Sequence, residues 1–166
     1  MLITLEMKTL SLDLGTNTGW AFRDQKGKIK SGSISFQERH FDSKAVKYIK
    51  FNSWLSLIHT NEHFDFIAYE AVRRHLGSIA AHAYGGFLAV LQMFCEKHRI
   101  DYIGYPVKEI KKHITGKGNA NKEQVITAVK ELGHNPRDDD EADAISILYL
   151  AEKYHVHIKD DNLTIE

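Results

Sequence analysis

The sequence has one cysteine, Cys95, and only two prolines, Pro106 and Pro136. A lone cysteine excludes an internal disulfide, and its apolar helical setting marks it as a small core residue of an intracellular protein. Both prolines stand near expected element boundaries, and no low-complexity linker or internal repeat divides the chain. The 166 residues are therefore read as one domain, with a core over about 8–153 and a short polar tail over 154–166. No basic region followed by a long apolar stretch opens the sequence, so no secretory signal is expected. No apolar run approaches the roughly 20 residues that a membrane helix needs. The expected location is cytoplasmic, with no membrane contact.

Charge of one sign is also lacking, since 22 Lys and Arg balance 22 Asp and Glu. A nucleic-acid binder often carries a net positive charge, because counterion release from phosphates drives much of its affinity. Here the cations are gathered locally. Residues 106 to 122 hold Lys108, Lys111, Lys112, Lys117 and Lys122 against one acid, Glu109. The balancing acids crowd into Asp138, Asp139, Asp140, Glu141 and Asp143. That separation suits a basic groove beside an acidic metal site.

Residues 8–14 alternate, with Leu10, Leu12 and Leu14 on one side and Thr9, Ser11 and Asp13 on the other, as a strand does. Gly15 to Gly19 reads as a turn, Trp20 to Phe22 starts a second strand, and Ile29 to Phe36 forms a third. Three strands joined by short turns make an antiparallel meander. A helix is expected from Ser43 to about Thr60, where Val46, Ile49 or Lys50, Trp54, Leu57 and Ile58 show helical spacing. Phe64 to Val72 returns to strand. Gly77 to His98 is a long amphipathic helix with Ala80, Ala83, Phe87, Val90 or Leu91 and Phe94 on one face. Tyr102 to Tyr105 is a short strand. Helices follow at 107–114, 121–132 and 139–153, the second closed by Gly133 as a C-cap. This order predicts an α/β domain with a five-stranded sheet flanked by helices.

Several carboxylates sit where structure alone does not ask for them. Asp13 lies on the polar side of its strand, where a solvent-facing Asp needs no explanation, although Asp is disfavoured in strands. Glu70 shares a pleat face with Phe66, Ala68 and Val72, where an unpaired carboxylate is costly. A metal ion would relieve that cost, and so would Arg73. Asp138 and Asp139 are fully explained as the acidic start of a helix. Asp143 is not, being deeper and followed by Ala144 to Leu148, and Asp140 three residues earlier projects from the same face. Together these groups make an oxygen-rich site suited to Mg²⁺ or Mn²⁺.

At this point a resemblance becomes specific. Leu12 to Trp20, with Asp13 before a Gly-containing turn, resembles the first-strand motif of RuvC-type Holliday-junction resolvases. Tyr69-Glu70 resembles the family's strand-end Glu. Asp140-Glu141-Ala142-Asp143-Ala144-Ile145, preceded by Asn135-Pro136, resembles its terminal acidic motif. Ile110 to Lys122 resembles its basic Gly-containing segment. The resemblance spans about residues 8 to 153 and implies an RNase H-like fold, with the meander extended by parallel strands. It implies a metal-dependent endonuclease that nicks four-way and other branched DNA symmetrically, leaving 5′-phosphate and 3′-hydroxyl ends. By the same likeness Asp13, Glu70, Asp140 and Asp143 are catalytic metal ligands for two Mg²⁺ ions, replaceable by Mn²⁺, with Asp13 bridging. Lys111 and Lys122 fall on positions that hold or activate the scissile phosphate. Lys108, Lys112 and Lys117 are further DNA-binding candidates. One departure stands out. Where members of the family place a base-stacking aromatic after the Glu, this chain has Arg73, Arg74 and His75. A guanidinium also stacks on bases. Paired nicks imply a two-fold homodimer, for which Ala80, Ala81, Ala83, Gly85 and Gly86 offer small residues. They serve equally for contact with the chain's own sheet.

Three rivals follow from the same residues. Asp13 to Thr16 also resembles the phosphate-binding turn of actin-like ATPases, which need a second half that this chain lacks. An RNase H-like nuclease acting on RNA, such as a ribosomal RNA precursor, would share fold and acids. A non-catalytic binding module would not need all four carboxylates. The spacings His59/His63 and His155/His157 suggest zinc, but no further ligand completes a tetrahedral set, and surface histidines are expected.

Overall fold

The computed structural model describes residues 7–74 and 77–161, with side chains as far as Tyr154. Five strands, β1 (Thr9–Asp13), β2 (Asn17–Arg23), β3 (Ile29–Ser35), β4 (Phe66–Ala71) and β5 (Asp101–Pro106), form one mixed sheet. Its order is β3-β2-β1-β4-β5. β1, β2 and β3 pair antiparallel, while β4 and β5 extend the sheet in parallel with β1. Helices α1 (Val46–Glu62) and α2 (Ser78–His98) cover one face, and α3 (Val107–Thr115), α4 (Lys122–Glu131) and α5 (Asp139–Asp161) the other.

The alternation of β1 explains why the sheet needs both layers. Leu10 and Leu12 point into the larger core with Phe51, Leu55, Phe87 and Leu91. The opposite face of β1 is not solvated. Ser11 is fully buried, and its hydroxyl reaches the Ala144 carbonyl of α5 at 2.7 Å and that of Ala21 at 3.0 Å. Ile145 and Leu148 of α5 pack with Ala21 and Val129, and Ile147 packs with Ala68 and Ile110. A two-pronged ion pair, Arg23 to Glu152 at 2.8 and 2.9 Å, fastens β2 to α5 further along.

The predicted order of elements is the observed one, with corrections at the edges. β2 begins at Asn17 because Thr18 closes the preceding turn by donating to the Gly15 carbonyl at 2.7 Å. α1 begins later than expected; Trp54 and Ile58 of the expected set pack against the core, but its most buried positions are others. Phe51 and Leu55 are fully buried, whereas Ile49 and Leu57 are 63% and 62% exposed. Edge-on contacts of Phe51 with Phe36 and Phe87 decide the rotation of the helix. On α2 the buried set is Phe87, Leu91, Phe94 and Cys95, while Ala80 is exposed. α2 is long and apolar enough by composition to cross a membrane, contrary to the expectation that no segment is. In this fold, however, its second half is a core element. α5 runs past the expected end at 153 to Asp161, so residues 154–161 of the expected tail are helical. Gly133 caps α4 as expected. At φ 92° it donates to Lys130 while His134 donates to Val129, a Schellman closure.

Candidate active site

Parallel pairing of β1 with β4 aligns Leu12 with Tyr69, so Asp13 and Glu70, one residue further along each strand, end side by side. Across the antiparallel pair, Asp13 faces Gly19 of β2. With no side chain there, the first turn of α5 descends onto the sheet at that point. Asp140 and Asp143, on one side of that turn, are thereby brought over the two strand ends. Tyr84 of α2 holds the end of β4, donating to the Glu70 carbonyl at 2.7 Å and accepting from the Val72 amide at 3.2 Å.

The electrostatics follow from four acids gathered in a half-buried place. Burial, then Asp143, Glu70, Asp140 and Asp139, hold Asp13 well above the usual carboxylate range. Burial, then Glu70 and Asp139, push Asp143 up to about 7, with Lys111 and Lys122 opposing. Glu70 is raised by burial and eased by Lys111. Asp140 is raised by burial and by Asp139 and Asp138, and relieved by Lys122 and a hydrogen bond with Asp13. Among the described residues no group of three or more His, Cys, Asp or Glu side chains stands close enough to hold a metal ion as it is. A donor set made only of oxygens, with excess negative charge in partial burial, fits a hard divalent cation. Asp13, Glu70, Asp140 and Asp143 are the residues to hold it.

The predicted cations divide into two groups. Lys111 is half-buried on α3 and acts on both Glu70 and Asp143. Lys122, at the start of α4, is bound by the Asp139 carboxylate, which raises the lysine and is itself lowered. Lys108, Lys112 and Lys117 are exposed, and Lys117 lines a groove between α3 and α4 with Thr115, Asn121 and Gln124. Arg73 and Arg74 follow β4 and are exposed, so Arg73 is not the buried partner of Glu70 that the sequence allowed. His75 lies outside the described residues.

Sequence reasoning missed the hold of Asp139 on Lys122, the role of Tyr84, and the attachments of Asp138 and Glu141 to β3. It took Asp138 and Asp139 only as a helix start. Asp138 is indeed the cap of α5, its Oδ1 accepting from the Glu141 amide at 2.8 Å. The histidines of the zinc reading form no metal group among the described residues: His59 accepts from the Phe64 amide at 3.2 Å and meets the His98 ring edge-on. His155 and His157 carry no described side chains.

Comparison with known proteins agrees with this architecture. The family model described as crossover junction endodeoxyribonuclease RuvC matches residues 17–150. Curated relatives of that name from Campylobacter jejuni and Prochlorococcus marinus are each 28% identical. The first alignment covers 87% of this chain and 96% of the relative, the second 76% and 80%. Among solved structures, Thermus thermophilus RuvC in complex with a Holliday junction substrate superposes with a TM-score of 0.78 at 19% identity, covering 92% of this chain and 97% of that one. The yeast mitochondrial Holliday junction resolvase superposes at 0.64 and 15% identity, covering 92% and 80%.

Proposed function

Because this chain belongs to the RuvC family of crossover junction endodeoxyribonucleases, we propose that it resolves four-way DNA junctions by metal-dependent hydrolysis of phosphodiesters. The observation that carries this reading is the meeting of Asp13 and Glu70, at two parallel strand ends, with Asp140 and Asp143 of the last helix. Four acids raised first by burial, with Asp143 and Glu70 adding to Asp13 and Glu70 adding to Asp143, form a site whose ionised state calls for cations. An RNA-directed nuclease is not favoured, since the family and the named relatives act on crossover junctions.

Two Mg²⁺ ions, or Mn²⁺ in their place, would supply the Lewis acidity for the hydrolysis. Asp13, Glu70, Asp140 and Asp143 bind and orient those cations. Lys111 stabilises negative charge developing on the phosphoryl oxygens, and Lys122 does so after exchanging Asp139 for the phosphate. Arg73, Arg74 and the exposed Lys108, Lys112 and Lys117 bind the DNA backbone by charge, in keeping with a DNA-associated protein inside the cell. The products carry 5′-phosphate and 3′-hydroxyl ends. Symmetric cutting asks for two copies of the site. The exposed side of α2 that carries Gly85, Ala89 and Met93, the last 72% exposed, is the proposed dimer face. Gly86 is excluded from that role, because a side chain there would meet the Tyr48 ring of α1 at 2.4 Å.

The test is cleavage of a labelled four-way junction in Mg²⁺, beside duplex DNA, an RNA–DNA hybrid and structured RNA. Paired symmetric nicks made by the wild type, and lost in Asp13→Asn, are the expected result. Cleavage of hybrid or RNA with no action on the junction would overturn it.

A further inference from the structure

Between the two aspartates of α5 lies Glu141, an acid that points away from them and is only 5% exposed. Its Oε1 accepts from Ser31 Oγ of β3 at 2.8 Å, and its Oε2 from the Arg137 amide at 2.9 Å and Arg137 Nε at 3.4 Å. Asp138, at the cap of the same helix, accepts from Ser33 Oγ on the same strand. Ser31 and Ser33 flank Gly32, so both hydroxyls point to one face of β3. A β-carbon on Gly32 would stand 3.0 Å from the Arg137 guanidinium and 2.8 Å from the Trp20 ring, so the strand allows no bulk between them. The two acids grip the sheet edge at two points along one strand. Two points fix a rotation where one would leave a pivot.

We propose that Glu141 and Asp138, with Ser31 and Ser33, are positioning residues that lock the rotation of α5 so that Asp140 and Asp143 face the ends of β1 and β4. This rests on the reading of those aspartates as metal ligands. Asp138, Asp140, Glu141 and Asp143 all belong to the start of α5, so a turn of that segment about the helix axis would carry Asp140 and Asp143 off the ends of β1 and β4. The clasp resists that turn from the opposite side of the helix. It makes no contact with the cation, and it serves cation binding by keeping the ligands aimed. A helix cap alone would need neither serine.

The test is Mn²⁺ titration of the full-length protein without DNA, by calorimetry, alongside thermal unfolding in chelator. Ser31→Ala/Ser33→Ala is expected to weaken Mn²⁺ binding about tenfold while the melting temperature in chelator falls only slightly. Glu141→Ala should lose at least as much affinity. Glu141→Gln should retain most of it, because its amide oxygen accepts from Arg137 and its NH₂ donates to Ser31. Wild-type Mn²⁺ affinity in the double serine variant overturns the proposal, as does a Glu141→Gln loss equal to that of Glu141→Ala. Asp13→Asn supplies the control that titrates the same site. The two readings fail separately. A wild type that binds Mn²⁺ but leaves junctions uncut defeats the resolvase reading alone, whereas an unaffected serine variant defeats the clasp alone.

Discussion

Gly19 and Asp140 meet backbone to backbone: a β-carbon on Gly19 would lie 1.8 Å from the Asp140 carbonyl oxygen. The contact is with main chain at the start of α5, so no flexible side chain can move aside. Gly19→Ala is expected to lift the first turn of α5 and cost about 1–3 kcal/mol of stability by overpacking. Urea unfolding measures that cost. Mn²⁺ affinity should fall by more than the stability loss alone explains, since Asp140 is carried away from Asp13.

Stability without metal should depend on pH in a direction opposite to that of most carboxylates. Asp143 is pushed up to about 7 in the folded protein, and Asp13 and Glu70 are also raised. A group raised above its unfolded value contributes stability that is fully present below about pH 4. That contribution is lost as pH rises through its folded value. Melting temperature in chelator is thus expected to drop between pH 5 and pH 8, and saturating Mg²⁺ should restore it. Asp143→Asn should flatten the drop and melt higher than wild type at pH 8 in chelator.

Lys111 links this titration to cleavage. Its ammonium lowers both Glu70 and Asp143, favouring their ionised forms, the ones a divalent cation would need. Replacing Lys111 by Met removes that support, and the acid limb of the pH–rate profile is expected to move to higher pH. At a pH above the shifted limb, the remaining deficit in kcat reports the direct action of Lys111 on the phosphate. A profile that merely falls in height, with its limb unmoved, would contradict the coupling.

Arg73 and Arg74 stand exposed just beyond Glu70. If both pair with phosphates, Arg73→Gln/Arg74→Gln should reduce the slope of log K against log salt for junction binding by about 1.8. Fluorescence anisotropy in Ca²⁺ across a salt series measures it. An unchanged slope would assign the arginines to stacking or to no DNA contact.

The parts legible in the sequence were those governed by short-range pattern. The alternation of Leu10, Leu12 and Leu14 placed Asp13 on the opposite face, and the apolar run around Glu70 marked it as misplaced for an ordinary strand. The face of α1 was read only in part, with Trp54 and Ile58 right and Ile49 and Leu57 wrong, because apolar residues occur on several sides of it. Ile49 and Leu57 fit the spacing as well as Phe51 and Leu55 do, and only the aromatic neighbours Phe36 and Phe87 choose between them. Contacts between distant segments left no local trace. Nothing near Lys122 names Asp139 as its partner, and nothing in Ser31-Gly32-Ser33 points to Glu141. The tail beyond 153 was read from polarity, but a helix already nucleated and docked through Ile147 and Leu150 continues into polar sequence at little cost.

The last element in the chain carries half of the candidate acids and fills one face of the sheet with Ala144, Ile145, Ile147 and Leu148. A nascent polypeptide emerging from the ribosome therefore holds only Asp13 and Glu70 until α5 has been made. Any fragment ending before Asp139 would lack both candidate aspartates of α5 and the cover for Ser11. The two strand-end acids are thus joined by their helical counterparts only once α5 has docked on the sheet.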